Sequence, residues 1–297
     1  MGKSQKWGSL IVMLGWGLVL ALLPAEAVSI QGYSAAENDR FANDPAYVAI
    51  DYDLSGIARS DRGRWATLVS ENVFLSAAHY RPGNGHTVTF FAGNDPSGPS
   101  INRTVSGGQR IGNTDLWVGL LNSPVPGSIT SYSFATEEFQ DSSEALSSAY
   151  AAANAFIFGQ SANGRDDTYY TTDMATGRNR LDVWNPGQTV DGRTGDVWEA
   201  EYNTSDETNW VEYEAFLQGG DSGGPLFVSE EGALTLTGVN WFIRQTEDGA
   251  PVSSGFTYVG SYASEVQDYI DSNAVPEPSV AVLLGAGVLV MWCFRRR

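Results

Sequence analysis

Few stretches of this chain carry a helical period long enough to bury one face of a helix. Its apolar runs are short, rich in Tyr, Trp and Thr, and cut by 33 glycines and 12 prolines. Such punctuation favours short strands joined by turns, so the expected class is all-β. At 297 residues the chain can bury a substantial core, as one large domain or two smaller ones. Its single cysteine, Cys293, has no intramolecular partner, which leaves packing and hydrogen bonds to hold that core.

The two ends read as signals rather than fold. Residues 1–27 place Lys3 and Lys6 before the apolar run WGSLIVMLGWGLVLALL and close on Ala25-Glu26-Ala27, the small-x-small pattern a signal peptidase requires. The mature chain is expected to begin near Val28, with an N-terminal segment at 28–44 ahead of a domain at 45–273. Residues 274–297 hold a Pro-Glu-Pro turn at Pro276 to Pro278, an apolar helix from about Val280 to Phe294, and Arg295, Arg296 and Arg297. Arginines favour the cytoplasmic side, so this helix would contact the membrane with its charged end inside. It is short for a permanent span. A retained membrane anchor is the plainer alternative at either end.

Charge narrows the partners. The formal net charge is -18, and without the two ends 12 basic side chains face 33 acidic ones. A chain so negative repels phosphate backbones, so nucleic acid is not an expected partner, and a soluble surface is the plain use of the acidity.

Between the ends lies one chemical constellation. EAFLQGGDSGGPLFV, residues 214–228, sets Ser222 among Gly219, Gly220, Gly223 and Gly224, ahead of an apolar run that reads as a strand. Glycines allow backbone angles that let main-chain N–H groups converge on one point, a nest able to hold an oxyanion. A serine hydroxyl needs a base within hydrogen-bond reach, and only His79 and His86 carry an imidazole. His79 ends WATLVSENVFLSAAH, which predicts strands at Trp65 to Ser70 and Val73 to Ser76 and then a tight turn on Ala77 and Ala78. His86 follows RPGNG and reads as an exposed loop residue. The base in turn needs a carboxylate to fix its tautomer. Asp115, at the mouth of the apolar strand in NTDLWVGLL, is the candidate, with a turn aspartate capping that strand as the bland alternative.

In the order LSAAH, DLWVGLL and GGDSGGP, these three sites resemble the chymotrypsin-like, or trypsin-like, serine peptidases, over about residues 45–272. Further similar segments are AFIFGQSANG at 155–164, GVNWF at 238–242 and SYASEVQDYIDSN at 261–273, the last with Tyr262, Val266, Tyr269 and Ile270 on one helix face. The resemblance implies two six-stranded antiparallel β-barrels with the active site between them, a link near 123–153 and a closing helix. It implies acyl transfer on a protein or peptide substrate, with Ser222 as nucleophile, His79 as base, Asp115 as its orienting carboxylate and the amides of Gly220 and Ser222 as oxyanion hole. No cofactor or metal enters that chemistry. A base must be neutral to act, which puts the acid limb of activity at roughly pH 6 to 7.

By the same resemblance Phe216 holds the position that selects the residue before the cut, and Asn240, Trp241 and Phe242 border the substrate backbone. Phe216 in place of an aspartate argues for a small or apolar residue there rather than Arg or Lys. Two features depart from the family pattern. The position after His79 is Tyr80 rather than a disulfide cysteine, and no Arg- or Lys-led activation sequence precedes the domain. A new N-terminal amine at Val28 or local backbone donors could each satisfy Asp221. The C-terminal tripeptide, short span and arginine cluster together resemble the PEP-CTERM sorting signal of Gram-negative bacteria. That implies processing by signal peptidase and exosortase and delivery to the envelope surface or extracellular matrix.

Two other classes of function compete. One is a silent binding module offering Trp117, Trp184, Trp198, Trp210 and Trp241 to polysaccharide. The other is a calcium-dependent adhesion domain using DYD at 51–53 and DGRTGD at 191–196. A full His, Asp, Ser set argues against a dead relative.

Overall fold

The glycine-cut apolar runs fold as β-strands through most of the chain. A computed structural model describes residues 27–162 and 171–274. The expected signal peptide and the sorting helix, Cys293 included, lie outside the described residues apart from Ala27 and Ala274. So do Asn163 and Gly164. Among the described residues no helix is long and apolar enough to cross a membrane.

The chain opens with β1 (Ser29–Ile30) and the short helix α1 (Ala35–Asn38). Six strands follow: β2 (Ile57–Ser60), β3 (Trp65–Leu68), β4 (Val73–Ala77), β5 (Thr87–Phe91), β6 (Ser100–Arg110) and β7 (Leu116–Leu121). They close into a barrel in the order β2-β3-β4-β7-β6-β5. Its interior is filled by Ala58, Ala66, Leu68, Phe74, Val88, Phe90 and Val105. β2, β3 and β4 are buried along their whole length because their outer faces are covered too.

The connection from 122 to 154 holds β8 (Ser133–Phe134), α2 (Ser142–Leu146) and α3 (Ala149–Ala152). Asp141 caps α2, its Oδ1 accepting the Ser143 and Glu144 amides. Beyond it come β9 (Ala155–Gly159), β10 (Ala175–Asn179), β11 (Val183–Val190), β12 (Arg193–Glu201), β13 (Ala215–Phe216), β14 (Pro225–Glu230), β15 (Ala233–Gln245) and β16 (Pro251–Tyr258). The helix α4 (Ala263–Ser272) follows, with Val266 fully buried and Tyr269 and Ile270 packed beside the core on the face its sequence predicts, while Tyr262, also packed there, precedes the helix as its N-cap.

The second half departs from the expected barrel. Its eight-stranded sheet runs β10-β9-β14-β15-β16-β12-β11, with β8 beside β15, and does not close among the described residues. The seam between β10 and β12 is crossed by side chains instead of a ladder. Asn179 Nδ2 donates to Glu201 O and Ala215 O at 2.9 and 3.1 Å, and Glu201 N donates to Asp182 Oδ2 at 2.9 Å. β13 pairs with β1 as a separate ribbon. An aromatic cluster of Phe139, Tyr150, Trp184, Trp198 and Tyr258 fills the concave side, with Phe139 stacked on Tyr258 at 5.3 Å.

A third core joins the halves, with Trp65 and Val118 of the barrel meeting Phe158, Phe227 and Val239 of the sheet. The N-terminal segment crosses this junction. Arg40 N donates to Met174 O, while the fully buried Arg40 guanidinium donates to Ile57 O, Phe91 O and Gly93 O at 3.1–3.2 Å. Tyr47 Oη meets Thr176 Oγ1 at 2.5 Å.

Candidate active site

Strand β4 runs directly into the turn that carries His79. Ala78 N donates to Asp115 O at 2.6 Å, and β4 and β7 pair with Ala77 opposite Leu116. That register brings His79 and Asp115 side by side. The Asp115 side chain, 0% exposed, accepts the His79 amide on Oδ1 at 3.1 Å and faces His79 Nδ1 with Oδ2 at 2.6 Å. A carboxylate in this position favours the Nδ1–H tautomer and leaves the Nε2 lone pair free to take a proton.

Burying a carboxylate without partners is costly. Asp115 has a third partner that its sequence neighbourhood does not advertise. Arg193 Nε lies 3.1 Å from Oδ1. Arg193 starts β12 just after the tip of the β11–β12 hairpin, where Asp191 and Gly192 both take positive φ, 49 and 75°, the pattern of a tight hairpin turn. Thr194 N donates to Asn113 O at 3.0 Å and Asn113 Nδ2 donates to Gly192 O at 3.2 Å, which docks the hairpin on the Asp115 turn.

The serine loop packs against the same turn. A Cβ on Gly223, at φ 88°, would stand 2.7 Å from Ser76 Oγ and 3.1 Å from Ala77 N, so glycine permits the approach. Gly220, at φ 103°, rests on the Gln160 side-chain amide, and its carbonyl accepts from Trp65 Nε1 at 3.4 Å. The amides of Asp221, Gly223 and Gly224 donate to Gln218 O, Asn240 O and Asp221 O. Among the described residues those of Gly220 and Ser222 donate to no protein acceptor, and these are the two expected at the oxyanion hole.

Asp221 is satisfied by two backbone donors, one local and one just past the end of β9. Oδ1 accepts from Gln160 N at 2.7 Å and Oδ2 from Gln218 N at 2.8 Å. Val28 is close, its Cβ near the Asp221 carboxylate across Gly159, and its backbone N donates to Gln160 O at 3.1 Å. Burial pushes the Asp221 carboxyl up to about 7, against the two amides and Arg59, which favour its ionised form.

A pocket of about 110 Å³ opens beside Ser222, lined also by Leu217, Gln218, Gly219, Asn240, Trp241, Phe242 and Ile243. The β15–β16 register shifts between Asn240 and Phe242, so Trp241 stands out of the ladder as a bulge. Asn240 braces the loop: Nδ2 donates to Phe158 O and Asp221 O at 2.8 and 2.9 Å, and its backbone pairs with Gly223 and Gly224. No family model and no curated relative matches the chain.

Of the residues expected from sequence, His79, Asp115, Gly220, Ser222, Asn240, Trp241 and Phe242 gather in this region. Phe216 does not line the pocket. It is 0% exposed, pairs with Ser29 and packs its ring on Tyr202, and its neighbour Leu217 takes the pocket wall. His86 is half-buried rather than exposed, because its Nδ1 accepts the Gly83 amide at 3.2 Å and closes the loop. Trp184 and Trp198 are core, 2% and 0% exposed, and offer no platform. The DGRTGD segment is the hairpin tip that delivers Arg193. Arg193 itself and Gln160 had no local signal, since each acts on a segment distant in the chain.

Proposed function

We propose that this chain is an exported serine endopeptidase of the chymotrypsin-like kind, whose second half is an opened version of that fold's second barrel. One observation carries the reading: a fully buried Asp115 holds His79 Nδ1 at 2.6 Å on a turn against which the Ser222 loop packs through Gly223. In this reading Ser222 Oγ attacks the peptide carbonyl while His79 Nε2 takes its proton and later returns it to the leaving amine. The amides of Gly220 and Ser222, which donate to no protein acceptor among the described residues, support an oxyanion role, one donor of that kind being worth about 3 kcal/mol of barrier. The pocket between Leu217 and Ile243 would take the side chain before the cut, and its size favours a small or apolar one. The N- and C-terminal signals support secretion followed by sorting to the envelope surface or matrix.

The test is covalent labelling of the purified protein by a fluorophosphonate probe. Labelling is expected in the wild type and absent from Ser222→Ala and His79→Ala. Folded wild-type protein that takes no label refutes the assignment and favours a silent binding module.

A further inference from the structure

Beyond its cleavage chemistry, the site carries an arginine cluster. Stripped of the two ends, the chain has 12 arginines and no lysine. Arg40 and Arg59 are buried and serve the fold. Four of the others crowd the segments around His79 and Asp115. Arg64 lies over the Tyr80 ring at 3.3 Å, Arg81 over Trp117 at 3.8 Å, Arg110 pairs with Trp117 across β6 and β7, and Arg193 contacts Asp115.

Arg81 and Arg110 are exposed. Among the described residues neither has a carboxylate within ion-pair distance, although the chain has 35 acidic side chains from which one could have been supplied. The carboxylate nearest the group, Asp115, is buried and held by His79 and Arg193. Gathering like charges costs free energy, and Arg81 shows it. Its guanidinium is lowered from its ordinary value by burial first and then by Arg110 and Arg193. The Trp117 face and the Ala78 carbonyl, to which Arg81 Nη1 donates, hold that guanidinium in place, and among the described residues its other donors have no hydrogen-bond partner. A planar, pre-set fork of this kind suits a carboxylate.

We propose that Arg81 and Arg110, around Trp117 and beside His79, select acidic peptides by binding an Asp or Glu carboxylate that flanks the bond cut. This rests on the peptidase reading above and extends it to a substrate class. The chain as a whole is strongly negative and repels such peptides, so the rim offers a locally attractive approach to the cleft, and the preference weakens with salt.

The experiment compares two fluorogenic peptides with the same small apolar residue before the cut, identical except for Asp and Glu against Asn and Gln at the other positions flanking the cleaved bond. The acidic peptide is expected to show about tenfold higher kcat/KM at low salt, falling toward parity near 0.5 M NaCl. Arg81→Gln with Arg110→Gln is expected to abolish the preference while the neutral peptide is still cleaved. Arg110→Gln alone, an exposed change, is expected to remove part of it and serves if the double variant does not fold. Equal rates on the two peptides, or a preference untouched in the folded variants, overturn the rim and leave the peptidase standing. Failure of wild-type Ser222 to take a fluorophosphonate label removes the peptidase reading and the rim's role with it.

Discussion

Two buried carboxylates stand on neighbouring loops and are held in different ways. Asp115 faces an imidazole and a guanidinium, whereas Asp221 accepts two backbone amides, with the Arg59 charge farther off. Under the proposed mechanism Asp115→Asn favours the wrong imidazole tautomer, and kcat is expected to fall about 10⁴-fold with little change in KM. Arg193 touches no substrate in this scheme and acts through Asp115. Arg193→Gln is expected to lower kcat about tenfold, with KM held and partial recovery in Arg193→Lys, which steady-state kinetics would separate from general misfolding. For Asp221 the folded carboxyl is raised from 3.8 to about 7. Its contribution to stability is therefore full below about pH 4 and lost as pH climbs through 7. Wild type is expected to be more stable than Asp221→Asn at pH 5, with the gap narrowing by on the order of 3 kcal/mol at pH 8 in thermal melts. The grouping of His79, Asp115 and the Ser222 loop was legible because each sits in a local pattern of apolar residues and glycines. Arg193 was not, since an arginine at a hairpin tip acquires meaning only from the carboxylate it meets in another sheet.

At the scale of elements, two glycines set how closely strands and loops approach. Gly119 of β7 lies opposite Phe74, and a Cβ there would stand 2.1 Å from the Phe74 ring. Gly119→Ala forces ring or strand aside inside the barrel and is expected to cost about 1–3 kcal/mol, measured by denaturant unfolding. Gly223→Ala acts elsewhere, pushing the serine loop from the His79 turn, so fluorophosphonate labelling should drop by more than the loss of stability explains. Strands β3, β4 and β7 and helix α4 could be read from sequence within a few residues, because alternation and helical period are local signals. The open sheet could not. Whether a sheet closes depends on edges meeting, and here Asn179 and Asp182 bridge the seam with side chains that in sequence look like ordinary turn residues.

For the whole molecule the dominant fact is charge. With a formal net charge of -18, self-repulsion opposes the compact state, and screening relieves it. Thermal melts are expected to shift upward between low salt and about 0.5 M NaCl, the opposite of the response expected of kcat/KM on acidic peptides under the proposed rim. Arg40 bears on how that melting proceeds. Its guanidinium reaches carbonyls of the barrel while its backbone is tied to Met174 beside the sheet, so one residue works as a rivet through both halves. Neither half can loosen without orphaning oxygens that belong to the other. Heat should therefore undo the protein in one calorimetric peak, and under the peptidase reading the cleft would meet its substrate without hinging open.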